Sequence, residues 1–260
     1  MNSILQVNQL TMDFGGIRAV DRMDLSIGQG EIVALIGPNG AGKTTLFNCI
    51  TGFYRPTSGT ILLNTQRDSN KMIVGLKINR ITELGMARTF QNIRLFPYMT
   101  VLENVMIGRH CRTKAGILGA ILRDSKTIKE ENDTVTVSYH VLKRIGLEEY
   151  ANQLACNLPY GAQRRLEIAR AMATKPRMLL LDEPAAGMNP QETKDLENLL
   201  LRIRNEDNIS ILLIEHDMKL IMSLSERVVV MDYGKKIADG TPSEIRKNPQ
   251  VIKAYLGETY

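Results

Sequence analysis

A glycine-rich segment directly after a short apolar run constrains this chain more than any other feature. The run covers residues 32–36, is rich in β-branched residues and predicts a buried parallel strand. Residues 45–50 carry apolar side chains at helical spacing and predict a helix. The residues between them are Gly37, Pro38, Asn39, Gly40, Ala41, Gly42, Lys43 and Thr44. The sequence therefore predicts a strand, a glycine-rich turn and a helix in succession.

This loop fills every fixed position of the phosphate-binding pattern. Its glycines allow successive N–H groups to point to one place, where the following helix adds its positive end. We expect Lys43 to reach the β- and γ-phosphates, and the Thr44 hydroxyl to join a Mg²⁺ shell. A plain glycine-rich turn is the weaker alternative, because the full pattern stands in the required context. The sequence predicts a nucleoside triphosphate site over residues 37–44, extended to Thr45.

Composition limits the other classes of function. A chain of 260 residues with 43% hydrophobic content can form one large or two small domains. It has no apolar run near the roughly 18 residues of a membrane-spanning helix and no secretion signal, so we expect a cytosolic protein. The three cysteines lie in no metal-binding spacing and are expected to be reduced. Because 33 basic residues are interspersed with 28 acidic ones, a nucleic-acid surface is not predicted.

Two carboxylates follow a second apolar run, at residues 178–181. Asp182 and Glu183 are therefore expected at the carboxyl edge of a parallel sheet, where the phosphate loop also lies. Asp182 suits a Mg²⁺ shell, and Glu183 could accept a proton from the attacking water or orient it. The alternative is an ordinary acidic turn, which the upstream loop makes less favoured.

A third apolar run, at residues 209–214, leads to His216. This residue is one of only three histidines in the chain. Alone, it would be interpreted as a surface residue. Because the phosphate loop and the acidic pair precede it, we predict instead that its imidazole reaches the γ-phosphate.

Together these motifs resemble those of the ATP-binding cassette (ABC) ATPases, and the resemblance covers essentially the whole chain. It implies that Phe14 stacks on adenine and that Gln91 contacts Mg²⁺ and joins the core to a helical subdomain. The alternative for Phe14 is an aromatic residue of the core, and the alternative for Gln91 is a solvated loop residue. Residues 186–190 occupy the place of the family's dimer-contacting loop. The family signature, which caps ATP bound by the opposite subunit, is occupied here by Pro159, Tyr160, Gly161, Ala162 and Gln163.

The resemblance implies an α/β fold, a P-loop NTPase (RecA-like) core with an antiparallel β subdomain and an α-helical subdomain. The expected core covers residues 1–91 and 173–240, the helical subdomain 92–172, and a C-terminal helical tail 241–260. We expect turns at residues 15–16, 28–30 and 56–59. Within the helical subdomain we expect breaks at 114–116 and 123–131, the latter a loop or short exposed helix. Residues 134–137 alternate like a strand, but the longer helical spacing favours a helix.

Three residues depart from the family pattern. Pro159 replaces the commoner Ser, Ala162 replaces Gln, and Asn189 replaces the commoner Asp of the dimer-contacting loop. Pro159 lacks a hydroxyl and an N–H that could contact phosphate, while Gly161 is retained. We therefore expect that the ATP site this chain completes in trans is weaker than the site it forms itself.

Several segments, including residues 88–96, 165–170 and 215–218, resemble the LivG-type ATPases of branched-chain amino-acid importers. That resemblance implies ATP and Mg²⁺ as cofactors, and a second ABC ATPase, either a paralogue or an identical chain, as a partner. It also implies two transmembrane permease subunits, an indirect periplasmic binding protein and a place on the inner face of the plasma membrane. Residues 93–99 are the expected docking segment for the permeases, and the alternative for any single residue there is the core of the helical subdomain. Alternatives are another cargo such as urea, other amino acids or envelope lipid, a cassette that binds ATP without hydrolysing it, and a non-transport ABC ATPase in DNA repair or translation. The last usually carries a long coiled-coil insertion or a second cassette, neither of which is visible here.

Overall fold

The computed structural model describes residues 3–65, 68–113 and 125–256. By its internal contacts the chain divides into two compact units. The first comprises Met1–Arg88 and Arg177–Tyr260, and the second comprises Thr89–Pro176. The second unit is thus inserted into the sequence of the first.

All strands of the described residues belong to the first unit. They are β1 (Ser3–Phe14), β2 (Ile17–Gly28), β3 (Ile32–Ile36), β4 (Ser58–Leu63), β5 (Lys71–Met72), β6 (Met86–Arg88), β7 (Met178–Asp182), β8 (Ser210–Ile214), β9 (Arg227–Asp232) and β10 (Lys235–Gly240). One sheet has the order β10-β9-β3-β8-β7-β6, and the other has the order β2-β1-β4-β5. The second sheet is antiparallel throughout its paired strands, as predicted.

The larger sheet has a parallel core. Strands β9, β3, β8, β7 and β6 run parallel, and β10 pairs antiparallel to β9. Every residue of β3, β7 and β8 is buried, as expected for strands covered on both faces. The carboxyl ends of these three strands therefore lie at one edge of the sheet.

One hydrophobic core joins the two sheets of the first unit. Leu10 of β1 and Met23 of β2 are fully buried and belong to the same cluster as Leu180 of β7. The turn expected at residues 56–59 ends earlier than predicted, because Ser58 already pairs with Thr11 of β1 and begins β4. Strand pairing thus overrides the turn preference of the local sequence.

The α-helices of the described residues are distributed between both units. They are α1 (Lys43–Ile50), α2 (Ile78–Glu83), α3 (Val101–Arg109), α4 (Ser125–Ile145), α5 (Tyr160–Ala173), α6 (Pro190–Asp207), α7 (Met218–Leu224), α8 (Pro242–Lys247) and α9 (Pro249–Leu256). Thr241 caps α8 through its side chain, with Pro242 in the first turn, so the predicted helix start is confirmed. Asn189 caps α6 in the same way.

The second unit is helical in its described part, with α3, α4 and α5 packed against one another. Residues 134–137 lie within α4, so the preference for a helix there is confirmed. Of the two alternatives for 123–131, the loop is wrong from residue 125 onwards, and the helix that begins there, α4, has 21 residues and is not short. Its buried positions follow helical spacing, and exposed charged residues such as Lys129, Asp133 and Lys143 lie between them; the buried positions are Thr127, Thr134, Ser138, Leu142 and Ile145. Residues 114–116 lie outside the described residues.

None of the helices in the described residues is both long and apolar enough to cross a bilayer.

Candidate functional site

The phosphate-binding loop connects the end of β3 to the start of α1, as predicted. Gly42 precedes the helix with a φ of 98°, a left-handed conformation that favours glycine. A Cβ atom there would lie 2.3 Å from the carbonyl oxygen of Ala19, and one on Gly37 would lie 2.0 Å from that of Met231. Both positions therefore require glycine, because β2 and β9 back the loop closely.

Lys43 is held against the loop that precedes it. Its Nζ donates to the carbonyl oxygens of Gly37 at 2.7 Å and Pro38 at 2.9 Å, and the residue is only 7% exposed. Burial lowers the pKa of Lys43, while the negative charges of Glu183 and Asp182 oppose that shift. The ammonium group thus lies in the field of both predicted carboxylates, beside the exposed Thr44.

Asp182 ends β7 in a buried ion pair that the sequence did not predict. Its Oδ2 accepts from Arg88 Nη2 at 2.8 Å, and both side chains are less than a tenth exposed. Arg88 Nη1 also donates to Asn48 Oδ1 at 2.7 Å and Thr51 Oγ1 at 3.1 Å. Arg88 therefore attaches the carboxylate of β7 to helix α1.

Glu183 and His216 meet at the carboxyl edge of the sheet. His216 Nε2 lies 3.1 Å from Glu183 Oε1, although the two residues are 33 positions apart. Glu183 has a φ of 48°, unusual for a residue with a side chain, and its N–H donates to Ile214 O at 2.9 Å. Such strain tends to occur where function requires it. The structure thus brings together the two residues predicted to act on the γ-phosphate.

Phe14 lies at the end of β1 and is 41% exposed, so it is not the core aromatic that we considered as an alternative. Its ring makes an edge contact with Tyr54, with centroids 5.3 Å apart and planes at 80°. Tyr54 was missed in the sequence analysis because no motif marks it. The pair offers an exposed aromatic surface for a nucleobase.

Gln91 lies in the second unit, in a segment attached to helix α5. Arg164 donates to the carbonyl oxygens of Phe90, at 2.7 Å, and of Gln91, while Glu167 Oε1 accepts from Phe90 N at 3.3 Å. The side chains of Arg164 and Glu167 are almost fully buried, and Arg164 Nη1 lies 3.4 Å from Glu167 Oε2. Burial raises the pKa of Glu167, and the N–H of Phe90 and the charge of Arg164 oppose the shift. This charge pair fixes the backbone on which Gln91 stands.

The signature segment of the second unit begins helix α5. Pro159 is the N-cap, with no side-chain capping bond, and Tyr160 is exposed beneath the guanidinium of Arg164 at 5.7 Å. Gly161 and Ala162 are buried, and Gln163 Nε2 donates to Leu158 O at 2.9 Å. The helix thus begins without the hydroxyl cap that Ser would supply.

Comparison with known proteins decides the family. A family model described as "ABC transporter" matches residues 20–186 of this chain. The chain belongs to the ATP-binding cassettes of ABC transporters. It is therefore an ATPase of that family, and its nucleotide is ATP. A second model, described as "Branched-chain amino acid ATP-binding cassette transporter", matches residues 235–260.

Named relatives and a solved structure resemble the cassette over nearly its whole length. It is 52% identical to the high-affinity branched-chain amino acid transport ATP-binding protein LivG of Escherichia coli and 50% identical to BraF of Pseudomonas aeruginosa, each over 98% of both chains. A crystal structure of a nucleotide-free ATP-binding cassette from an ABC transporter superposes with a TM-score of 0.84 at 31% identity, over 98% of this chain and 100% of that one. The predicted α/β cassette fold is confirmed.

The buried ion pair gives a stability prediction for the cassette. Arg88→Met would leave the Asp182 carboxylate buried beside an apolar side chain, so the free energy of unfolding should fall by about 3 to 5 kcal/mol. Urea unfolding at neutral pH measures this. The matched control is Arg80→Met, which breaks the exposed pair of Arg80 and Glu83 and should cost about 0 to 1 kcal/mol. Equal losses of unfolding free energy in the two variants would contradict a stabilising role for the buried pair of Arg88 and Asp182.

Proposed function

We propose that this cassette uses ATP hydrolysis to drive the import of branched-chain amino acids. The 3.1 Å approach of Glu183 and His216, at the sheet edge that also carries Lys43, supports hydrolysis at this site. The cargo is supported by the names of LivG and BraF and by the family match of residues 235–260. These two supports are independent, because the cargo need not touch the cassette.

In the proposed mechanism the loop residues 37–45 bind the triphosphate. Their N–H groups and the Lys43 ammonium neutralise its charge. Glu183 orients the attacking water and accepts its proton, and His216 contacts the γ-phosphate while its Nε2 stays close to the Glu183 carboxylate. Phe14, with Tyr54 at its edge, stacks on the adenine. Most of the rate enhancement then comes from positioning and charge.

Mg²⁺ is part of the proposal, and the oxygen donors present fit it. Mg²⁺ prefers oxygen ligands and is usually held by one or two protein groups together with substrate phosphates and water. The Thr44 hydroxyl and the Asp182 carboxylate supply such oxygens in the first unit, and the Gln91 side chain would be a further ligand. Among the described residues no cluster of three His, Cys, Asp or Glu side chains could hold a metal ion. When bound, the ion would neutralise charge on the β- and γ-phosphates.

We propose that ATP is sandwiched between this cassette and a second one, a paralogue or an identical chain. In that arrangement Pro159, Tyr160, Gly161, Ala162 and Gln163 face the nucleotide of the partner. The absent capping bond at Pro159 supports a weaker contact to that nucleotide than a Ser would give. The first turn of α5 is therefore the element that limits the site completed in trans.

This view predicts the effect of Pro159→Ser. The Ser hydroxyl can cap α5 and contact phosphate, so the ATPase rate of the assembled pair should rise, and the helix should gain about 0.5 to 2 kcal/mol from the cap. Phosphate release by the assembled complex measures the rate. Ala162→Gln is a poor companion variant, because residue 162 is buried and overpacking costs about 1 to 3 kcal/mol. An unchanged rate for Pro159→Ser would contradict a weakened trans site.

Docking of the membrane subunits is proposed at residues 93–99 of the second unit. This segment exposes apolar rings, with Phe96 45% and Tyr98 85% exposed, and these rings are available for contact with a membrane subunit. Asn104, which is fully buried, holds the segment by accepting from Phe96 N at 2.9 Å and donating to Phe96 O at 3.0 Å. The cassette would thereby be peripheral on the inner face of the plasma membrane. A periplasmic binding protein would act on it only indirectly.

The test is a co-purification from native membranes with a tagged Glu183→Gln cassette, which should trap the ATP-bound pair. We expect a second cassette and two multi-spanning membrane proteins, and their identity would separate branched-chain amino acids from urea, other amino acids or envelope lipid. The wild-type cassette without nucleotide is the control for the trapped pair. Recovery of ribosomal or DNA-bound partners with no membrane protein would overturn the transport function.

A further inference from the structure

Glu215 is a buried carboxylate directly beside the predicted catalytic pair. It follows the last residue of β8 and is 4% exposed. Its two oxygens accept from two different backbone N–H groups, Oε1 from Ala185 at 2.8 Å and Oε2 from His216 at 3.1 Å. Burial and the nearby charge of Glu183 raise the pKa of Glu215, and the N–H donors oppose that shift. Such a costly group would not be needed merely to fill space.

The bond from Ala185 N to Glu215 Oε1 joins two chain segments that follow different strands, whereas the bond from His216 N joins adjacent residues. Ala185 lies two residues after Glu183, beyond the end of β7, and His216 lies beyond the end of β8. A further bond crosses the same gap, because Glu183 N donates to Ile214 O at 2.9 Å. Residues 183–185 are therefore attached to residues 214–215 by two bonds, and backbone N–H groups of the first segment donate both of them.

The strained backbone conformation of Glu183 depends on this attachment. Its φ of 48° is a strained conformation that persists only where the surroundings hold it. The bond from Ala185 N to the Glu215 carboxylate holds the residues that follow Glu183, and the bond from His216 N holds the ring on the other side. Lys43, by contrast, is held by its own bonds to Gly37 and Pro38. Loss of Glu215 should thus disturb the pair and spare the phosphate loop.

We propose that Glu215 is a positioning residue that sets the Glu183 carboxylate and the His216 imidazole at reacting distance. This rests on the proposed roles of Glu183 and His216 and adds a residue that acts only through them. Glu215→Ala removes both acceptors, whereas Glu215→Gln keeps one oxygen and can serve only one of the two N–H groups well. The expected order of turnover is wild type, then Glu215→Gln, then Glu215→Ala.

The experiment measures kcat, KM and the affinity for a fluorescent ATP analogue on the assembled complex that contains the full-length chain. Glu215→Ala should lower kcat on the order of 10- to 100-fold, with KM and analogue affinity unchanged, because misplacement affects the reaction more than binding. Glu197→Ala is the matched control. It removes another buried carboxylate, paired with Lys194 on α6, and should leave kcat unchanged.

A second measurement separates positioning from a general structural role. In a His216→Ala background, Glu215→Ala should add little further loss of kcat, because the pair it positions is already broken. An equal loss in both backgrounds, or a wild-type kcat for Glu215→Ala, would overturn the proposal. If Glu215→Ala does not fold, the loss of kcat caused by Glu215→Gln is compared between the wild-type and His216→Ala backgrounds instead. Full activity of Glu183→Gln and His216→Ala would instead refute the proposed catalytic roles, which is a distinct result.

Discussion

Glu183→Gln should lower the turnover of ATP on the order of 10²- to 10⁴-fold while the cassette still binds ATP. The substitution keeps the size of the side chain and an oxygen that can face His216 Nε2, now 3.1 Å from Oε1. It removes the basic carboxylate that would accept the proton of the attacking water. Binding should persist, because the phosphate loop and the Lys43 contacts are unaltered. Phosphate release and fluorescent-nucleotide binding on the same preparation measure both quantities.

The control for this variant is Glu149→Gln. Glu149 is an exposed glutamate of the second unit, so the same chemical change at that site should leave turnover unaltered. Wild-type turnover in Glu183→Gln would show that another group accepts the proton. Loss of ATP binding together with turnover would show that the substitution damaged the loop instead.

Lys43→Met should raise the Kd for ATP on the order of 100-fold or more. Methionine retains most of the buried stem and removes the ammonium group, whose charge-assisted bonds to phosphate contribute about 1.5 to 3 kcal/mol each. The fold itself should be retained, because burial already disfavours the charged form and lowers the pKa of this lysine. Calorimetric titration with ATP and the rise in melting temperature on adding ATP report the change.

Lys194→Met is the matched control for the lysine. Lys194 is 59% exposed and makes one ion pair, with Glu197 at 3.1 Å, so its loss should not alter ATP affinity. A Lys43→Met chain that binds ATP as tightly as the wild type would mean that the loop amides alone determine affinity.

The sequence predicted those parts of the site whose residues are contiguous or directly follow a strand. The loop from Gly37 to Thr44 is contiguous, so its residues define the turn and the start of α1. Asp182, Glu183 and His216 each follow an apolar strand, and a parallel sheet brings such ends to one edge. The 3.1 Å contact between Glu183 and His216 follows from the neighbouring positions of β7 and β8.

What the sequence did not predict depends on contacts between distant positions. Arg88 pairs with Asp182 across 94 residues, and Arg164 holds the Gln91 backbone across 73. Tyr54 meets Phe14 through the tertiary packing alone. One signal was available for Glu215, because an acidic residue directly after an apolar strand and before His216 has to be either exposed or bonded.

The first residues of α4 show a different reason why the sequence did not predict the structure. Residues 125–131 are polar, and polarity alone suggested a loop or a short exposed helix. In the structure the exposed side chains of Lys129 and Glu131 lie on the outer side of a helix whose inner face includes Thr127. The buried stripe includes Thr134 and Ser138, so its apolar period is weak in the sequence and becomes clear only in the packed helix.

The most direct test of the central claim is uptake of labelled leucine, isoleucine and valine by cells that lack this cassette. We predict that uptake falls, that the wild-type chain restores it, and that Glu183→Gln does not, although it is expressed and binds ATP. Restoration by Glu183→Gln would contradict coupling to hydrolysis at this site. Unchanged uptake of all three amino acids, with loss of urea or another solute instead, would contradict the assigned cargo.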